Sequence, residues 1–540
     1  MQRRSFLKVT ALSATAAFVS AGCKTITEPS PKSGLSIAPK SFELEETTLP
    51  QIQHSLEKGK YSSVKLAKIY LERIQEIDKR GPALNSVLEL NPDAMAIATA
   101  LDKERQTKGP RSPLHGIPVL IKDNIDTRDR MTTTAGSLAL EGSIALKDSG
   151  VARRLKEAGM VILGKTNLSE WANFRGTRST SGWSGRGGQT RNPYALDRNP
   201  SGSSSGSAVA VSANLCPVAV GTETDGSILS PSSFNGIVGI KPTVGLISRA
   251  GIIPISHTQD TAGPMARTVA DAAMLLGILA GPDPADLATT PAAQNAHRTY
   301  TQFLDPNGLK GARIGVARKL FGTSKPVEKI LNELLEQMKK EGAIVVDPAD
   351  LPTTGKFGNN EFQVMLYEFK AGLNAYLASL GPNAPVKTLK DVIEFNERQR
   401  DKELQWFGQE DLTMAEEKGP LTDEPYLKAL ETCARLSRKE GIDAIMDKHQ
   451  LDALVAPTTG PAHVTDYLYG DRGSGGSTWP AAVAGYPSIT VPAGFVLGLP
   501  VGISFFGRAW SEPKLVQIAY SFEQATLVRK KPGFRSTVQA

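Results

Sequence analysis

Along most of its 540 residues the chain alternates short apolar runs bounded by glycine with longer amphipathic stretches. Gly116 to Ile121, Met160 to Gly164 and Pro217 to Val220 are nearly unbroken apolar runs, the pattern of strands buried on both faces. Ile314 to Ala317, Ile344 to Val346, Leu454 to Pro457, Ser488 to Pro492 and Val501 to Phe505 repeat it further on. Helical spacing lies between them. Ser62 caps a predicted helix to about Asp78, with Val64, Ala67, Leu71, Ile74 and Ile77 three or four residues apart on one face. Asn91-Pro92 opens another toward Lys108, Ser207 to Leu215 is small and alanine-rich, and Thr268 caps one toward Leu279. Residues 358 to 450 read as mostly helical. Strands alternating with helices in this way predict an α/β sheet covered by helices on both faces.

Composition narrows this picture little: 40% hydrophobic and 22% charged residues are ordinary for a soluble globular protein. Length by itself suggests about three to four domains, although large α/β enzymes often fold as one unit. The 50 glycines are unusual, and imply many tight turns and close backbone approaches. Of the formal charge of +7, three charges belong to Arg3, Arg4 and Lys8, which leaves +4 beyond residue 22 and no basic cluster suited to nucleic acid.

The first 22 residues read as an address. Arg3-Arg4-Ser-Phe-Leu-Lys8 resembles a twin-arginine export signal, and the apolar stretch Val9 to Ala21 is too short to span a membrane comfortably. Ser20-Ala-Gly-Cys23 resembles a lipoprotein processing site, with ordinary cleavage nearby as the alternative. The expected organisation is therefore an export signal over 1–22, a flexible Pro- and Ser-rich tether over 23–42 and one folded domain over 43–535, exported to the periplasm or anchored to the membrane through Cys23. Cys216 and Cys433 sit in apolar or helical surroundings and read as buried thiols. The six histidines show no metal-ligand spacing, so no metal and no cofactor are expected.

Three stretches could carry chemistry. Val218-Ala-Val-Gly-Thr-Glu-Thr-Asp-Gly-Ser227 leads a strand into a glycine turn, where backbone N–H groups leave the sheet ladder and can converge on one spot. A hydroxyl there would suit acyl transfer, with the amides of Thr224, Asp225, Gly226 and Ser227 as an oxyanion hole; a capping serine is the plainer alternative. Lys122 ends the apolar run Val119-Leu-Ile, where desolvation would lower its proton affinity, unless it pairs with Asp123 or Asp126. Ser201 to Ser207 feeds an apolar helix, which distinguishes it from a flexible linker. It also contains Gly202-Ser-Ser204-Ser-Gly206, a match to the nucleophile elbow of α/β-hydrolases that would nominate Ser204 with Asp260 and His463. That motif needs a strand immediately before it, and Arg191 to Pro200 is rich in turn residues.

Together these stretches resemble the amidase signature family from about Glu43 to near the C-terminus. Gly202 to Thr243, ending Gly236-Ile-Val-Gly-Ile-Lys-Pro-Thr, and Asp260-Thr-Ala-Gly-Pro-Met-Ala-Arg-Thr carry the likeness. The resemblance implies a single large domain with a mixed sheet and a Ser-cisSer-Lys triad. In that triad Ser227 is the nucleophile, Ser203 the relay after a cis peptide bond, and Lys122 the base. The two serines keep the family's spacing of 24 residues. Ser201 and Ser205 replace glycines, Asp225 replaces the glycine usual before Gly-Ser, and Leu229 stands where many relatives have arginine. The block Ser179 to Thr190 is most similar to the bacterial peptide amidase branch. The implied function is a monomeric serine hydrolase releasing ammonia from small-molecule or peptide amides. The glutaminase subunit of a tRNA-dependent amidotransferase is the alternative, against which the export signal argues.

Overall fold

In the computed structural model, which describes residues 41–322, 324–473 and 475–538, the apolar runs assemble into an eleven-stranded mixed sheet. In chain order the strands are β1 (Val87–Leu90), β2 (Pro118–Lys122), β3 (Val161–Thr166), β4 (Trp183–Ser184), β5 (Gly188–Gln189), β6 (Val218–Glu223), β7 (Val238–Lys241), β8 (Thr261–Ala266), β9 (Arg313–Val316), β10 (Ile344–Val346), β11 (Ala453–Pro457), β12 (Ser488–Val496) and β13 (Leu499–Phe506). Across the sheet they run β1-β3-β2-β6-β8-β7-β12-β13-β11-β9-β10, and β4 pairs with β5 in a separate ribbon. Helices flank the sheet, and the described residues fall in one large domain rather than the several that length suggests. The expected leader, Cys23 and the tether through residue 40 lie outside the described residues. Among the described residues no helix is long and apolar enough to cross a membrane.

The central strands match the sequence reading because each is buried on both faces: every residue of β2, β3 and β6 is enclosed. β2 runs parallel to both neighbours, β3 and β6, so the chain leaves β2 and β6 at the same edge of the sheet. That shared edge is where the candidate residues meet.

One expectation needs correction, and one central strand was not predicted. The helix predicted from Ser62 forms over Ser63–Arg73 and continues as a wider π turn over Ile74–Lys79, with the Ser62 hydroxyl accepting from Lys65 N at 3.1 Å. Its buried face is Leu66, Ala67, Tyr70, Ile74 and Ile77, whereas Val64 and Leu71 are only partly covered. The sequence pattern also contains β8 without revealing it, since Gly263-Pro264 at its centre reads as a turn. Here tertiary packing overrides propensity. A Cβ at Gly263 would lie 2.1 Å from Ile240 O, so glycine lets this strand fit between β6 and β7.

Candidate active site

Lys122 closes β2, and its side chain is fully enclosed. Its Nζ lies 2.8 Å from Ser203 Oγ, 2.9 Å from Thr222 Oγ1 and 3.2 Å from Thr222 O. All three partners are uncharged oxygens. Burial pushes the lysine down to about 7, against the negative charges of Asp260 and Glu223, which favour its protonated form. The pairing with Asp123 or Asp126 that sequence left open does not form, because those carboxylates face Lys165 on β3 instead.

Ser203 follows Gly202 through a cis peptide bond and enters the helix Ser205–Ser212. Its carbonyl accepts from Ser169 N at 3.1 Å, and the next amide, Ser204 N, donates to Ser227 O at 3.0 Å. The serine run is thereby pinned to the turn that carries Ser227. Three segments far apart in sequence meet here: Lys122 bonds Ser203 directly, and Ser227 is tied to the backbone beside it. Lys122 and Ser203 have no solvent exposure, whereas Ser227 keeps 7%, so Ser227 is the member an incoming molecule can reach.

The Thr224–Ser227 turn leaves β6 and precedes the helix Leu229–Phe234. Gly226 holds a φ of 75°, and a Cβ there would come within 2.9 Å of Ser230 Oγ and 3.1 Å of Thr478 Oγ1, which makes glycine a steric requirement. The Glu223 carboxylate braces the turn from behind, accepting from Ile228 N at 2.7 Å and Leu229 N at 2.9 Å, and the Gly226 amide also stabilises its charge. Among the described residues, the amides of Thr224, Asp225 and Ser227 donate to no protein acceptor outside the sheet ladder. Asp225 keeps some solvent contact, but its Oδ1 is enclosed and unpartnered among the described residues. Burial and the neighbouring Glu223 push the Asp225 carboxyl up to about 7, while burial and Asp225 push Glu361 up to about 8.

Two contributors, Thr222 and Asn124, escaped the sequence reading, and a third, Asp260, was given a role there only as a partner for Ser204. Thr222 supplies two of the three oxygens around Lys122 Nζ, and Asn124 Nδ2 donates to Thr222 Oγ1 at 3.0 Å. Asp260 accepts from Thr224 Oγ1 at 2.6 Å. Thr222 and Asn124 lie inside motifs already singled out, but only the pairing of β2 with β6 reveals their role. The alternative nucleophile is ruled out by the same geometry. No strand precedes Ser204; its hydroxyl donates to Thr222 O at 3.0 Å, while His463 meets Asp471 at 3.3 Å and Asp260 meets Thr224.

A cavity of about 210 Å³ opens beside this cluster. Asn124, Thr222, Thr224 and Asp260 line its polar end, and Ile253 and Ile255 contribute to an apolar wall. The arrangement places a reachable hydroxyl, free backbone donors, an enclosed lysine and an acceptor-sized space together, which is the equipment of acyl transfer.

A family model described as Amidase matches residues 65–516. The chain belongs to the amidase signature family. Its structure superposes on that of the native peptide amidase from Stenotrophomonas maltophilia with a TM-score of 0.88 and 51% identity, covering 91% of this chain and 99% of that one. A probable amidase of Arabidopsis thaliana is 45% identical over 92% of this chain and 93% of its own length. A glutamyl-tRNA(Gln) amidotransferase subunit of Gloeothece citriformis is more distant, at 34% identity over 89% of this chain and 97% of its own length. This amidase-family chain is accordingly an enzyme, an amide hydrolase.

Proposed function

We propose that this amidase removes ammonia from primary carboxamides, C-terminal peptide amides foremost, through Ser227, Ser203 and Lys122 and an acyl-enzyme. The observation that carries the reading is the enclosed Lys122 Nζ, 2.8 Å from Ser203 Oγ and surrounded by uncharged oxygens. A neutral lysine has two N–H groups and one lone pair. The Thr222 oxygens can take the two N–H groups, which leaves the lone pair for the Ser203 hydroxyl.

The proton then has a path. Ser227 gives its proton to Ser203 as Ser203 passes its own to Lys122, and Ser227 Oγ attacks the amide carbon. The carbonyl oxygen, now negative, is stabilised by the free amides of Thr224, Asp225 and Ser227, while the fourth amide expected there, that of Gly226, serves the Glu223 carboxylate. Collapse of the tetrahedral adduct breaks the C–N bond, with Lys122 returning its proton through Ser203 to the leaving nitrogen, and ammonia departs. Water repeats the sequence on the acyl-enzyme and releases the carboxylic acid.

The peptide amide preference rests on the high identity to the Stenotrophomonas maltophilia enzyme over nearly its whole length. Purified protein incubated with a dipeptide amide and with glutamine, each followed by ammonia release, tests it. Release from the peptide amide is expected; release from glutamine alone would favour the amidotransferase-like reading, and release from neither would overturn both. We further propose that the enzyme acts as a monomer after export through the 1–22 leader, with Cys23 lipidated. Labelled fatty acid incorporated by the natural chain and lost in Cys23→Ser is the expected result.

A further inference from the structure

The mechanism does not use Asp260, yet this carboxylate touches both walls of the cavity. It immediately precedes β8, next to the end of β6. Its Oδ1 accepts from Thr224 Oγ1 at 2.6 Å, and its Oδ2 accepts from Ile255 N and Ser256 N at 2.9 Å each. Thr224 belongs to the oxyanion turn and Ile255 to the apolar wall, and both line the cavity. Charge-assisted bonds of this kind are shorter and stronger than neutral ones.

We propose that Asp260 is a positioning residue that couples occupation of the apolar wall to the geometry of the oxyanion turn and supplies the negative charge that sets when Lys122 loses its proton. The proposal rests on the triad reading above. Asp260 and Glu223 are the acids that face Lys122, Asp260 the stronger influence of the two, and Glu223 is also faced by the positive charge of Lys241. On the other side Arg249 faces Asp260, but its guanidinium is clamped bidentately on Asp286 at 2.8 and 2.9 Å. Asp260 is therefore the larger of the two charges acting on the base. Burial pushes Asp260 up to about 6, against the hydrogen bonds from Thr224, Ile255 and Ser256 and the charge of Arg249, which favour its ionised form.

Asp260→Asn isolates the charge. The asparagine oxygen can still accept from Ile255 and Ser256, and its amide can donate to a rotated Thr224 hydroxyl. Thr224→Val cuts the link to the turn while leaving its backbone amide in place. The test labels Ser227 with an aryl sulfonyl fluoride, followed by intact mass as a function of pH, and measures kcat and KM on a peptide amide whose last residue is apolar. In Asp260→Asn the pH of half-maximal labelling is expected to fall by roughly one unit, the size of a nearby-charge effect. In Thr224→Val kcat is expected to fall by about tenfold, one misaligned transition-state hydrogen bond, with KM little changed. An unmoved midpoint in Asp260→Asn overturns the electrostatic role, and an unchanged kcat in Thr224→Val overturns the coupling. Failure of the natural protein to be labelled at Ser227 at any pH would instead sink the triad reading.

Discussion

Lys122 and Lys165 stand on adjacent parallel strands, β2 and β3, and both are wholly buried, yet more negative charge faces Lys165 than Lys122. Lys122 meets two hydroxyls and a carbonyl. Lys165 donates to Ile125 O at 2.7 Å and Thr133 Oγ1 at 2.9 Å and is faced by the carboxylates of Asp123 and Asp126. Burial lowers the proton affinity of each; Asp260 and Glu223 oppose that fall at Lys122, and a larger set of acids led by Asp123 and Asp126 opposes it at Lys165. A buried lysine without a close counter-ion is suited to act as a base. With more acids around it a buried lysine is better held in its charged form, and Asp126, one of those acids, accepts from Tyr376 of the long helix Gly358–Ser379 at 2.9 Å.

Substitution on either side of this pair of lysines puts the contrast at risk. The largest effect is expected from Ser227→Ala, which should lower kcat on a peptide amide by on the order of 10⁴ to 10⁶ with the thermal midpoint nearly unchanged. A residual rate within a few tenfold of the natural one would remove Ser227 from the chemistry.

Lys122→Met and Lys165→Met should then separate. Loss of Lys122 is expected to abolish turnover while raising stability by about 1 to 3 kcal/mol, because a poorly compensated buried amine is replaced by an apolar chain. Loss of Lys165 strands buried carboxylates and is expected to cost about 3 to 5 kcal/mol, read by urea unfolding. Equal stability changes in the two variants would contradict the assigned roles.

The pH dependence draws the same distinction. In the proposed mechanism the neutral Lys122 is the base, so kcat/KM should rise with pH through a limb centred near 7 and decline below it. Its folded proton affinity lies below its unfolded one, so the unfolded chain binds more protons between about 7 and 10.4. The lysine's unfavourable contribution to stability therefore grows as pH falls through that window and is constant below it. The gap in stability between Lys122→Met and the natural chain should shrink above about pH 10. The smallest expected effect is that of Tyr376→Phe, about 1 kcal/mol from one lost hydrogen bond on the Lys165 side, with kcat preserved.

Much of the molecule follows from local pattern. Apolar runs buried on both faces marked the central strands, helix caps at Ser62 and Thr268 were legible from residue type, and both caps accept the expected backbone N–H. Lys122, Ser203 and Ser227 were singled out as candidates in their motifs, but each stretch alone also had a plain structural reading, and their grouping as a triad came from the resemblance to the amidase signature family. The remainder came with folding. Sequence could not tell how many carboxylates face each buried lysine, since that depends on strand pairing and on loops arriving from elsewhere in the chain. Strand β8 was hidden because Gly263 and Pro264 read locally as a turn and become a strand only between β6 and β7. Thr222, Asn124 and Asp260 owe their roles to neighbours they acquire on folding: motifs report which groups are available, whereas proton affinity is set by distance and desolvation, which exist only once the chain has closed around them.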